Sequence, residues 1–210
     1  MKEVTIMPIR ENREYRNMPV MASTQERRFE TEQYVEGFAT TFNEPYVMFR
    51  CGDIEYKEVI DKDALRGADL SDVIFQYNHK GRVYARNKMR QGKPQTLLLE
   101  PQEKGLFVAA DLSSTEDSRK MFDEIDKGLI YQMSWGFTVE EDSYNVDTHT
   151  RTILKIKKVY DVSAVDLPAN EFTDISARSW VDGVIEQEKR ESLEREKLKQ
   201  KIRIRTMIGE

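Results

Sequence analysis

The chain has one cysteine, Cys51, and two histidines, His79 and His149, among 210 residues. A single cysteine excludes an internal disulfide, and this set is too small for a structural zinc site, so no metal is expected. Apolar runs are short, of the order of Leu97-Leu98-Leu99, against the roughly 18 residues of a membrane span. No segment is therefore expected to cross a bilayer. The opening Met1-Lys2-Glu3-Val4 lacks the basic and apolar regions of a signal peptide, which makes a cytoplasmic protein the expectation. Phosphate-cradling glycine loops and dinucleotide fingerprints are missing, so no cofactor is expected. The net charge of −5 offers no basic footprint for phosphate, which argues against a nucleic-acid partner.

Charge is abundant. Charged residues make up 34% of the chain, against the roughly 25% of an ordinary globular protein. The excess sits at the C-terminal end, where 15 of the 31 residues from Trp180 to Glu210 are charged, compared with 56 of the preceding 179. The sequence thus divides into an N-terminal arm (1–32), a body (33–176) and a charged helical tail (177–210). In the tail, Val181, Val184, Ile185, Leu193, Leu198 and Ile202 keep no strict heptad, so a solvated helix is expected there rather than a coiled coil.

Within the body, short β-rich segments recur at Gln33–Phe42, Glu55–Ile60, Asp72–Tyr77, Arg82–Arg86, Thr96–Glu100 and Leu106–Leu112, separated by Gly, Pro, Asp or Asn. This spacing predicts mostly antiparallel β-structure. One helix interrupts it, capped by Ser113 or Ser114, closed by Gly128, and buried along Met121, Phe122, Ile125 and Leu129. The fold class is mainly β with peripheral helices.

The most regular alternation runs from Tyr131 to Val139. Tyr131, Met133, Trp135, Phe137 and Val139 take one face, and Gln132, Ser134, Gly136 and Thr138 the other. After the polar stretch 140–151 the chain returns as strand over Thr152–Leu167. A turn centred near Asp147-Thr148 sets Asp161 opposite Ser134, with Cβ atoms about 5 Å apart. A slip of one residue would turn Asp161 to the other face.

His149 lies in this polar loop and reads as an exposed turn residue. His79 ends the apolar strand Val73-Ile74-Phe75-Gln76-Tyr77, where a rigid element could aim an imidazole into a cleft. A neutral imidazole within about 3 Å of a serine hydroxyl serves as its base, and a carboxylate on the other ring nitrogen fixes the tautomer. Ser134, His79 and Asp161 supply these three groups. Cys51 with His79 is a further nucleophile–base pair, without a supporting motif around the cysteine.

The order of motifs resembles the prohead proteases of tailed bacteriophages, which mature capsids with a serine nucleophile. The resemblance covers roughly Tyr34 to Ile175. It runs through Glu36-Gly37-Phe38-Ala39-Thr40-Thr41-Phe42-Asn43, Tyr56-Lys57-Glu58-Val59-Ile60, Asn78-His79, Gly105–Leu112 and Gly128. It continues with Met133-Ser134-Trp135-Gly136-Phe137 and Asp161-Val162-Ser163-Ala164-Val165, and ends at Pro168-Ala169 and Thr173. The resemblance implies His79 as base, Ser134 as nucleophile and Asp161 as orienting carboxylate. Three positions depart from the family's habit: Asp161 where Glu is usual, Lys80 where Asp is common, and Trp135 where Phe is common.

The resemblance further implies a small closed or partly open antiparallel β-barrel like that of the herpesvirus assemblins, with the nucleophile on a strand. The implied substrate is the major capsid protein or a scaffold segment, cleaved inside an assembling procapsid in the bacterial cytoplasm, with self-cleavage and self-association of the enzyme. The alternative from another functional class is a non-catalytic capsid assembly or scaffolding protein that keeps the fold and uses its charged tail to bind capsid subunits.

Overall fold

The computed structural model describes residues 5–6, 13–19, 27–89, 91–166 and 175–208. They fall into two compact units, Met1–Asp174 and Ile175–Glu210. In chain order the first unit contains β1 (Thr5–Ile6), β2 (Glu14–Pro19), β3 (Tyr34–Thr41), β4 (Tyr46–Cys51), β5 (Ile54–Ile60), β6 (Ile74–Tyr77) and β7 (Lys80–Arg86). It continues with β8 (Leu97–Pro101), β9 (Gly105–Asp111), α1 (Glu116–Asp126), β10 (Gln132–Asn145) and β11 (Thr150–Val165). The second unit is the helix α2 (Ile175–Ile208), on which Leu193, Leu198 and Ile202 are exposed. Among the described residues no helix is long and apolar enough to cross a membrane. Pro168, Ala169 and Thr173 lie outside the described residues.

The long hairpin β10–β11 is the spine. On one edge of β10 lie β2, opposite residues 132–137, and β1, opposite 143–144. Along the free edge of β11, β5 pairs with Thr150–Ile153 and β6 with Asp161–Ala164. β4 and β7 extend this sheet outward, and β3, β9 and β8 form a second one. Among the described residues the structure is mainly β with two helices, and the all-antiparallel strand arrangement implied by the resemblance needs correcting. β5 and β6 run parallel to β11, because two successive segments with the same direction dock end to end along one sixteen-residue strand. Among the described residues no ladder joins the two sheets or closes either of them.

Both sheets feed one core. β10 contributes Met133, Trp135, Phe137 and Val139, β11 contributes Ile153, Ile156, Val159 and Val162, and the second sheet adds Val35, Ala39, Leu97, Leu106 and Val108. Trp135 stacks on Phe137 at 4.2 Å between ring centroids. Burying each large side chain contributes about 1.5–3 kcal/mol. The helix cap differs from the expected serines: Thr115 is the N-cap, its Oγ1 accepting from the Ser118 amide at 3.1 Å. Met121 is buried, and Phe122 and Ile125 pack on the core. Leu129, expected on the same stripe, is 68% exposed, since α1 ends at Asp126 and Gly128 turns the chain at φ +71°.

Beneath the hairpin lies a buried ionic network drawn from β2, β5, β10 and β11. Arg16 binds Glu14 and Glu58, each with a contact of 2.6 Å. Arg151 binds Glu14 at 2.6 Å, Glu58 at 3.0 Å and Asp142 at 2.5 Å, and Tyr46 donates to Glu58. Burial works against the Glu14 carboxylate, but the two guanidinium groups overcome it and hold its pKa at about 2. Burial pushes the Asp142 carboxyl upward, with Arg151 opposing.

Such a network stabilises little against apolar replacement, yet losing one member strands buried charge, at about 3–5 kcal/mol. Arg151→Ala is therefore expected to cost about 3–5 kcal/mol at neutral pH, read by denaturant unfolding. Because the Glu14 pKa is depressed on folding, its contribution is present above its unfolded value near 4.5 and lost as pH falls toward 2. The gap between wild type and variant should accordingly narrow in acid.

Candidate active site

β6 and β7 are joined by a two-residue turn, Asn78-His79, between the paired residues Tyr77 and Lys80. Both turn residues are left-handed, at φ +49° and +56°, the combination demanded by the tight hairpin turn whose twist matches its strands. Asn tolerates this conformation; His stands where glycine is usual, at a backbone cost on the order of 1 kcal/mol. The turn is clipped to β11 by the Asn78 amide on the Ala164 carbonyl at 3.0 Å and the His79 amide on Ser163 Oγ at 3.2 Å. These clips fix the orientation in which the ring leaves the turn.

That orientation points the imidazole at β10. His79 Nε2 lies 2.7 Å from Ser134 Oγ, and His79 Nδ1 makes a short contact with Asp161 Oδ1. The structure thus brings the three residues named from the sequence into one chain of polar contacts. Ser134 has no exposed surface, Asp161 is 2% exposed, and the His79 side chain 16%.

The register differs from the one read off the sequence. The turn lies where expected, with Asn145 opposite Thr150, but Asp161 stands opposite Gly136, and Ser134 opposite Ser163. Irregularities between Gly136 and Asp142 let the nine residues from Ile153 to Asp161 face the seven from Asp142 to Gly136. A net shift of two keeps Asp161 on its original face, where a shift of one would have lost it. The carboxylate sits one diagonal step from the serine, and the imidazole fills the gap.

Gly136 has a steric reason to be glycine. A Cβ there would lie 2.6 Å from Asp161 Oδ2 and 2.8 Å from Tyr15 Cε1, and both neighbours are ends of short or planar side chains with little room to yield. Gly136→Ala is expected to displace the carboxylate and lower substrate turnover by about 100-fold, as a misplacement near 1 Å does. Stability should fall by about 1–3 kcal/mol. Measuring both quantities on one preparation separates the effects.

Two residues of the site were missed in the sequence. Ser163 donates to Asp161 Oδ1 at 2.9 Å and lies 3.2 Å from His79 Nδ1; its place two residues beyond Asp161, on the same strand face, is the signal that could have found it. Tyr15 packs on His79 with ring centroids 4.3 Å apart, and its only local signal is the alternation Glu14-Tyr15-Arg16. Cys51 is exposed on the β4–β5 hairpin, which joins β11 at the end opposite Asp161, more than about 20 Å away along the strand. His149 sits in the β10–β11 turn, with its Nδ1 3.1 Å from the Tyr144 hydroxyl.

Comparison with known proteins bears on what this arrangement does. The sequence model of the caudovirus prohead serine protease family matches residues 19–186. A prohead protease of Enterobacteria phage HK97 is 29% identical over 150 residues, 71% of this chain and 61% of that protein, so the chain spans less than two thirds of that relative. Among solved structures, a bacteriophage T4 capsid assembly protease aligns over 78% of this chain and 99% of its own, with 12% identity and a TM-score of 0.42.

Proposed function

Since the chain belongs to the caudovirus prohead serine protease family, we propose that it is an endopeptidase in which Ser134 attacks peptide bonds of a capsid or scaffold protein within an assembling procapsid. The observation that carries this reading is the continuous path from Ser134 Oγ to His79 Nε2 at 2.7 Å and from His79 Nδ1 to Asp161.

In the proposed reaction His79 takes the Ser134 proton at Nε2 as Oγ adds to the scissile carbonyl, then returns it to the leaving amine, which departs as the new N-terminus. A water activated by the same imidazole attacks the acyl-enzyme and releases the new C-terminus with Ser134 restored. Asp161 accepts from Nδ1–H throughout, so that Nε2 faces the serine unprotonated at the start and the imidazolium is matched by an adjacent carboxylate once formed. Ser163 binds the carboxylate oxygen that faces the ring, which limits its rotation.

The chemistry belongs to the body, 33–176. The charged tail, 177–210, we assign to capsid recruitment, and the arm, 1–32, contributes β2 beside the nucleophile strand. The shared core beneath two sheets supports a partly open barrel of the assemblin kind. Self-association in the procapsid and a location in the host cytoplasm complete the proposal.

The test is the intact mass of a capsid protein coexpressed with this chain. An N-terminally shortened product that disappears in the His79→Ala variant is expected. Full-length capsid protein under conditions where shells assemble would instead favour the non-catalytic assembly role.

A further inference from the structure

The N-terminal strand reaches further into the site than the family match does. The match begins at residue 19, where β2 ends, yet β2 lies antiparallel beside the nucleophile strand with Tyr15 directly opposite Gly136. Gly136 faces Asp161 on its other side. Tyr15, Gly136 and Asp161 therefore form one row across β2, β10 and β11. The missing side chain in the middle leaves the aromatic ring and the carboxylate near the same point, 2.8 and 2.6 Å from where a Cβ would stand. The imidazole of His79 meets both: Asp161 at Nδ1 and the Tyr15 ring at 4.3 Å between centroids, tilted by 55°.

Strand alternation explains how the ring is held. Glu14 and Arg16, on either side of Tyr15, point away from it into the buried ionic network, where they meet Arg151, Glu58 and each other. An anchor of this kind fixes β2 along its length as well as its side-chain face, since sliding by one residue would put charged groups against the imidazole and the ring into the network. Tyr15 is thus the outward tooth of a strand locked by its two inward neighbours.

We infer that Tyr15 is a positioning residue for the proposed general base, keeping the His79 imidazole directed at Ser134 and shielding its contact with Asp161 from water. Asp161 constrains the ring at one atom only, which leaves rotation about the Nδ1 contact available; an aromatic wall against the imidazole removes that freedom. A ring that swings by about 1 Å loses about 100-fold in rate. The inference rests on the proposed role of His79, and it makes the arm part of the active site.

The test uses the full chain with Tyr15→Phe, Tyr15→Leu and Tyr15→Ala. The phenylalanine variant should process capsid protein within about threefold of wild type, because the ring is kept. Alanine and leucine should lower kcat by about 10- to 100-fold while KM changes less than about twofold. A second readout needs no turnover: in the Ser134→Ala background, the downfield proton resonance of His79 Nδ1–H should be sharp with Tyr or Phe at position 15. With Leu or Ala it should broaden through exchange with water. Leucine keeps the bulk, so it carries the test if alanine loosens the fold. Wild-type kcat and a sharp resonance in the leucine variant would overturn the inference, as would a rise in kcat, which would mark the ring as a plug. An inactive wild type that still shows the ring-dependent resonance would count against the protease reading while leaving the positioning role standing.

Discussion

Ser134→Ala is expected to lower the rate of capsid-protein processing by about 10⁴- to 10⁶-fold, the loss seen when a serine protease is deprived of its nucleophile. The expectation is this large because, among the described residues, no other hydroxyl lies against His79 Nε2. Ser134 Oγ lies against His79 Nε2, whereas Ser163 Oγ is on the Nδ1 side of the ring and engaged with Asp161. The change removes one oxygen from a fully buried position and leaves the imidazole nitrogen without its partner, at about 1 kcal/mol. The variant should thus stay folded, which assigns the lost rate to chemistry. Undiminished cleavage would remove Ser134 from the mechanism.

Asp161→Asn should cost about 10⁴-fold in turnover at nearly constant shape. An amide has one acceptor and one donor where the carboxylate has two acceptors. With its NH₂ toward His79, it would force the tautomer that carries hydrogen on Nε2, which faces Ser134 Oγ and can no longer take its proton. Turning the amide over would restore the acceptor for both His79 Nδ1 and Ser163 Oγ, but would direct the NH₂ at the space beside Gly136 and Tyr15. The shorter carboxylate found here, where the family usually has Glu, reaches His79 because the Asn78-His79 turn is clipped to the same strand. Activity unchanged in Asp161→Asn would place the orienting role elsewhere.

These residues were legible in the sequence to different degrees, for physical reasons. Ser134 stood out because β10 alternates strictly, large and apolar against small, and such a pattern specifies which face each residue takes. His79 was marked by its position at the end of an apolar strand, although its left-handed backbone could not be anticipated from a turn that carries His where glycine is usual. The register of Asp161 was off by two because ladder irregularities leave no composition signature; the face survived because the error was even. Tyr15 was invisible for another reason. β2 is held by Glu14 and Arg16 through partners 137 and 42 residues away in the chain, and local periodicity carries no information about such distant pairs. The parallel docking of β5 and β6 on β11 escaped for the same cause, whereas the β10–β11 hairpin, being local, was foreseen. β4, Tyr46–Cys51, was overlooked after the break at Pro45, despite its run of strand-forming residues.

The claim that joins these observations is that Ser134 is a nucleophile made reactive by His79. A fluorophosphonate forms a stable adduct with an activated serine only, and peptide mass spectrometry locates it. The account predicts one modified residue, Ser134, in the wild-type chain, slow to form because the hydroxyl is buried, and its loss in His79→Ala. An adduct on a different serine, or equal labelling of Ser134 without His79, would contradict it.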